Sequence, residues 1–244
     1  MDKNTKEEII EKYLSGISAN QICIEKSINI SSVMYLLRKN NIPIRSISEN
    51  VNNYYTKKKN CIINFDEELN DILLGNLLGD GSIRLSMANC IYTHTDKHLE
   101  YVEWIKDIFK KYNVNGNISK TNNNCYSYRS ETCEQFNKYY EMFYKEKRIV
   151  PNNILLNKII LRQWYISDGH LKYNGYSHAI EIAKTPYNDI LMKQLKNIFG
   201  DNCSYHLDNK NGYGKYYLPV AYTNSFFNYI GDCPSPCYNY KWNK

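Results

Sequence analysis

The chain has 244 residues, 43% of them hydrophobic, enough to bury the core of a domain of average size with a smaller one beside it. A formal net charge of +6 favours a polyanionic partner. No run of eighteen apolar residues and no signal-type N-terminus is present, which argues against a membrane-spanning helix and for an intracellular, soluble protein whose eight cysteines stay reduced.

Residues 1–47 read as a small all-helical module. Apolar residues recur at helical spacing over Glu8–Leu14, Ala19–Glu25 and Ser32–Asn40, separated by Gly16-Ile17-Ser18 and Ile28-Asn-Ile-Ser31. Three short helices with a tight second turn predict a helix-turn-helix. Ser31 or Ser32 is the expected cap of the third helix. If that helix enters a major groove, Ser32, Tyr35, Arg38 and Lys39 are the candidates for DNA contact, the two cations reaching phosphate or guanine. A packing module without DNA contact is the competing reading. Residues 48–64, with Lys57-Lys58-Lys59, read as a basic linker: solvated, or following a duplex backbone.

Beyond the linker, two apolar helical runs each end in Asp-Gly: DILLGNLLGDG from Asp71 to Gly81, and IILRQWYISDG from Ile159 to Gly169. Asp80 and Asp168 thus fall at helix C-terminal tips, where the dipole makes a carboxylate unfavourable by roughly 0.3–1 kcal/mol unless a cation compensates. Two such acids invite a divalent metal. Gly75 and Gly79 lie four apart on one helix face, which predicts very close packing, with the second run as the partner. Gly81 and Gly169 are expected in the left-handed conformation that ends a helix.

The two runs anchor a longer repeat. Thr95 and Thr185, Ile105–Phe109 and Leu195–Phe199, Phe136 and Phe226, and Tyr139 and Tyr229 all keep an offset of ninety residues. Such self-similarity predicts a pseudo-two-fold molecule, residues 65–150 forming one half and 151–244 the other, with the two motif helices on the axis. Strand signals fill each half: Cys90–Thr95, Gly116–Thr121 and Cys125–Ser130, then His178–Ala183, Ser204–Asp208 and Tyr216–Ala221. Thr93, Ser119, Tyr126, Arg129, Glu181, Tyr205, Lys215 and Tyr217 are their polar members; on a sheet facing a major groove they would read base edges, and elsewhere they are merely wet.

Leu73–Gly81 and, more loosely, Leu161–Gly169 resemble the signature of the LAGLIDADG homing endonucleases in their single-chain, two-motif form, with Gln163 where a small residue is usual. Pro151-Asn-Asn153 and Tyr240-Lys241 resemble segments of the intron-encoded branch, so the similarity covers about residues 65–244. It implies an α+β fold, an αββαββα arrangement in each half forming a saddle over double-stranded DNA, on a protein acting as a monomer. It also implies metal-dependent cleavage of both strands leaving short 3′ overhangs. Asp80 and Asp168, with the last helical carbonyls at Gly79 and Ser167, would hold Mg²⁺ (or Mn²⁺), which suits hard oxygen donors. The family's basic residue per half falls on Arg148, with Lys147 beside it, and on Lys241. A non-cleaving DNA- or RNA-binding protein on the same scaffold, a transcription regulator or an intron maturase, is the alternative. The chain ends lack splicing-type Cys and Asn, so an intein is not expected.

Overall fold

The computed structural model describes residues 2–46, 49, 65–86, 89–173, 175–207 and 213–242. Lys57, Lys58 and Lys59 lie outside these residues, with the rest of 50–64. By internal contacts the chain divides into two compact units, Met1–Asn60 and Cys61–Lys244.

In the first unit, helices α1 (Lys3–Leu14), α2 (Ala19–Lys26) and α3 (Ile30–Lys39) close on a small core of Ile9, Tyr13, Ala19, Ile22, Val33, Leu36 and Leu37. Asp2 and Ser18 cap α1 and α2. The third helix starts earlier than its apolar spacing predicts: Asn29, not Ser31 or Ser32, is its cap, accepting the Ser31 N–H at 2.8 Å. Ser27, with φ of 53°, supplies the left-handed residue of the tight turn between α2 and α3.

The second unit contains the same αββαββα series twice. Its first half runs α4 (Glu67–Leu78), β1 (Gly81–Ser86), β2 (Asn89–Asp96), α5 (Leu99–Lys111), β3 (Gly116–Lys120), β4 (Tyr126–Ser130) and α6 (Asn137–Phe143). The second runs α7 (Lys158–Asp168), β5 (Gly169–Tyr173), β6 (His178–Thr185), α8 (Asp189–Phe199), β7 (Ser204–Leu207), β8 (Gly214–Leu218) and α9 (Thr223–Ile230). Both sheets are antiparallel, in the orders β1-β2-β4-β3 and β5-β6-β8-β7. The duplicated sequence therefore folds twice to one topology. Strands β1 and β5, which carried no strand signal of their own, start directly at the motif glycines. Strand β8 stops at Leu218, short of Ala221, because Pro219 has no N–H to continue the ladder.

The motif helices pair in parallel. Asp66 caps α4 by accepting the Leu69 N–H, Asn157 caps α7 by accepting those of Ile159 and Ile160, and Asn157 Nδ2 donates to Asp71 Oδ2 at 2.6 Å, tying the two starts together. Midway, a Cβ on Gly75 would lie 2.5 Å from the Ile160 carbonyl oxygen and 2.6 Å from the Gln163 Cβ, and at the end a Cβ on Gly79 would overlap Ser167. The two glycines are thus the close approach that their spacing predicted. Leu69, Leu73, Leu77, Ile160, Leu161 and Trp164, each at most 1% exposed, join a single core that runs through both halves.

Gly81 and Gly169 do not take the left-handed conformation. Gly169 caps α7 in extended geometry (φ −86°, ψ 152°), and neither glycine has positive φ. Their reason is again space: a Cβ on Gly81 would lie 2.7 Å from the Asn76 carbonyl oxygen, and one on Gly169 would lie 2.5 Å from that of Tyr165. The chain leaves each helix straight into a strand.

Candidate active site

Parallel pairing brings both helix tips to one place. Asp80 and Asp168 line the same cavity of about 280 Å³, with Gly79, Arg148, Pro186 and Tyr213 among its other walls. The tips are close enough that a Cβ on Gly79 would be 3.6 Å from the Asp168 Oδ2.

Each helix end also meets a cation from its own half. An Arg148 Nη donates to the carbonyls of Leu77 at 2.5 Å and Gly79 at 2.7 Å. Lys241 Nζ donates to the carbonyl of Ile166 at 2.5 Å and lies 3.5 Å from that of Ser167. These are the last-turn carbonyls left without an intrahelical donor, so the cations neutralise the dipole ends that made the acids costly. Lys147 is exposed, its backbone carbonyl closing the turn by accepting the Lys145 N–H, so of the two neighbours it is Arg148 that reaches the helix end.

The cations differ in kind. Arg148 is exposed, whereas Lys241 is 9% exposed and its pKa is pushed down to about 8 by burial, against the opposing pull of Asp168 and Asp80. An ammonium so placed can release a proton near neutrality, while a guanidinium cannot.

Strand register sorts the remaining candidates, because directly opposed residues project to one face. In the first sheet Thr93 pairs with Arg129, and Ser119 with Ser127, on the face turned away from the helices. In the second, Glu181 pairs with Tyr217, two residues from Lys215, on the corresponding face. Tyr126 and Tyr205 do not join them. Tyr126 lies two residues from Tyr128 and Tyr205 directly opposes Tyr216, both of them 0% exposed, so strand period two turns Tyr126 and Tyr205 to the inner face, where they pack against the core. Glu181 is on the open face but is 2% exposed, bonded to Lys172 at 2.8 Å, Lys215 at 3.0 Å and His170 at 3.0 Å. Burial pushes its carboxyl up, the lysine bonds push it down, and the net position is below the usual carboxylate value. It organises cations rather than presenting a free acceptor. Register adds two residues the sequence reading missed: Arg84 on β1 and Lys172 on β5, both outward in strands that had gone unrecognised. In the first unit Ser32, Tyr35, Arg38 and Lys39 are all exposed on α3.

Beneath the tips lies a buried polar layer that apolar patterning does not reveal. Asn76 and Gln163, one per motif helix and both 0% exposed, flank the Tyr101 hydroxyl, which donates to Gln163 Oε1 at 2.7 Å and lies 3.3 Å from Asn76 Oδ1. Gln163, where the resemblance leads one to expect a small residue, is thus held by the other half.

Residues 70–225 match the LAGLIDADG DNA endonuclease family. The chain belongs to that family. The fold agrees: the homing endonuclease I-WcaI bound to its DNA recognition sequence superposes with a TM-score of 0.61 at 19% identity, over 84% of this chain and 97% of that one. The meganuclease I-SmaMI bound to uncleaveable DNA gives 0.51 at 15%, over 69% and 85%. The uncharacterized protein MJ1098 of Methanocaldococcus jannaschii is 27% identical over 157 residues, 56% of this chain, and the match spans 59% of that protein's length. As a LAGLIDADG protein of the single-chain form, it carries both motifs in one polypeptide. No helix among the described residues is long and apolar enough to cross a membrane, and the seven described cysteines form no disulfide with one another.

Among the described residues no three His, Cys, Asp or Glu side chains come together as a closed metal site. The site supplies two carboxylates and main-chain oxygens. That donor set fits Mg²⁺, which keeps several waters and is held by one or two carboxylates plus substrate phosphate, and it does not fit a zinc-type cage.

Proposed function

We propose that this LAGLIDADG protein is a site-specific, magnesium-dependent DNA endonuclease that cuts both strands to leave short 3′ overhangs. The observation that carries this is the meeting of Asp80 and Asp168 in one cavity, each helix end backed by its own cation. Asp80 and Asp168, with the carbonyl oxygens of Gly79 and Ser167, would hold Mg²⁺ or Mn²⁺. When bound there, the metal polarises a phosphoryl oxygen and lowers the pKa of an attacking water.

The chain's own groups do the rest. In this reading one carboxylate and one cation serve each DNA strand, so a single chain suffices for a double-strand break. Lys241, with its pKa near 8, holds or passes a proton close to the reacting phosphate and favours the charge that develops there. Arg148 contributes fixed positive charge only. The open faces of the sheets, with Arg84, Thr93, Ser119 and Arg129 in one half and Lys172, Lys215 and Tyr217 in the other, are the proposed duplex contacts. The exposed face of α3 is proposed as a second contact to the duplex.

The test is cleavage of a supercoiled plasmid carrying the DNA that flanks the protein's own gene, with and without Mg²⁺. A single linear product with staggered ends, mapped by run-off sequencing, is expected. Asp80→Asn and Asp168→Asn should each lower the rate by about a thousandfold or more while a mobility-shift assay shows binding intact. Specific binding with no cutting by the wild-type chain would instead support a regulator or maturase on this scaffold.

A further inference from the structure

The geometry points to Asp96 and Tyr238 as positioning residues for Lys241, forming a strap by which the first half sets the cation of the second; this rests on the nuclease reading for its kinetic consequence.

Lys241 ends a 3₁₀ turn, Pro236–Lys241. In such a turn side chains three apart lie on one side, so the face that presents Tyr238 also presents Lys241. The Lys241 Nζ lies 5.0 Å from the centroid of the Tyr238 ring, within range of a cation–π attraction. Tyr238 is 4% exposed, and its far end is gripped from the first half. Its hydroxyl donates to Asp96 Oδ2, its ring meets that of Tyr101 edge-on at 5.2 Å, and it meets His98 edge-on at 5.0 Å. Asp96 is itself fixed: it is 6% exposed, at the end of β2, and its Oδ1 accepts the His98 N–H at 2.7 Å.

The backbone of Lys241 is held from the other side. Its carbonyl accepts the Tyr165 hydroxyl of α7 at 2.9 Å. The second half therefore fixes the main chain, and the first half fixes the turn's rotation through Tyr238, which aims the ammonium at the end of α7. The buried carboxylate of Asp96 adds to the field that favours the ammonium. The turn that carries Arg148 closes within the first half, through a bridge between Tyr144 and Arg148. The strap is one-sided, and so is its consequence.

The experiment is single-turnover cleavage with the two strands labelled separately, on wild type, Lys241→Ala, Arg148→Ala, Tyr238→Phe and Asp96→Asn. Tyr238→Phe keeps the buried ring and loses only the hydroxyl. It is expected to slow the strand that Lys241→Ala slows by about tenfold, the ratio a buried charge-assisted hydrogen bond supports, with the other strand within about twofold. Asp96→Asn, which keeps an acceptor but loses the charge, should slow the same strand. In a second arm, acetylation by an N-hydroxysuccinimide ester read by peptide mass spectrometry should rise at Lys241 by about fivefold in Tyr238→Phe, as the turn opens, and stay unchanged at exposed Lys145. Equal slowing of both strands, or slowing only of the strand that depends on Arg148, overturns the strap, as does unchanged acetylation. If the wild-type chain does not cut at all, the nuclease reading fails and the acetylation arm decides the strap alone.

Discussion

The two motif helices came from one duplicated sequence, yet they meet as unlike partners. The first helix keeps Gly75 and Gly79 on its contact face; the second presents Gln163 and Ser167, whose Cβ atoms occupy the space those glycines leave. Close approach needs small residues on only one side, so once the first copy holds them the second is free to carry larger ones. The same divergence reaches the helix ends. An exposed guanidinium caps α4, and a buried amine with a lowered pKa caps α7. Shared topology thus preserves the placement of charge, while chemistry at each place drifts.

Four measurements sharpen or break this contrast. The largest effect is expected at the cations. Lys241→Ala should slow one strand by about a hundredfold under single-turnover conditions, and Arg148→Ala the other strand by less, because only the amine combines charge with proton transfer. If both variants affect both strands alike, the halves are not separate sites.

Next comes the helix interface. Gly75→Ala places a methyl group against the Ile160 carbonyl and should destabilise the protein by about 2–3 kcal/mol in denaturant unfolding, whereas Ser167→Ala on the opposing helix should cost under about 0.5 kcal/mol. Equal costs would mean the glycines are not the accommodating side.

The third is a pH test of the buried amine. Its folded pKa of about 8 is below the ordinary 10.5, so the unfolded chain holds this proton more tightly. Stability therefore rises with pH across the window from about 8 to about 10.5, and below it the cost of burying the charge is fully present. Wild type should gain roughly 2 kcal/mol relative to Lys241→Met between pH 7.5 and 9.5, read as the difference in unfolding free energy; parallel curves would show that Lys241 is not desolvated.

The smallest effect concerns the second sheet. Glu181→Gln removes the one negative charge among Lys172, Lys215 and His170; in the first sheet Thr93 takes the place of Glu181. Non-specific DNA binding should become steeper in salt by about 0.9 in the log–log slope, as one more phosphate is neutralised. An unchanged slope would place this face away from the duplex.

Much of this was legible in the residues, and the failures share a cause. Helical spans, the duplication and the two acids at helix ends follow from periodicity and offsets, and the resemblance added a basic residue at Lys147 or Arg148 and at Lys241; all of these are local or repeated signals. Gly81 and Gly169 were misjudged because a glycine after a helix serves equally for positive φ and for close approach, and only the packed Asn76 and Tyr165 distinguish the two. Tyr126 and Tyr205 looked like polar strand members; their register against buried neighbours turned them inward, and register depends on the partner strand. Glu181 read as a base-edge contact because the groups that hold it come from other strands, Lys172 and His170 from β5 and Lys215 from β8. Asp96 and Tyr238, 142 residues apart, had no sequence signal to join them.

What the residues determined unaided is which groups exist and on which repeated element each is placed: an apolar helix ending in a carboxylate, twice; the basic residue assigned to each half came from the family resemblance. That is so because helix and strand periods and a duplication are properties of the chain itself. Only the tertiary structure decided that the two tips share one cavity, that one cation is buried and the other open, and which tyrosines face outward. Those outcomes depend on interhelical approach and cross-strand register, where residues far apart in the chain set each other's surroundings.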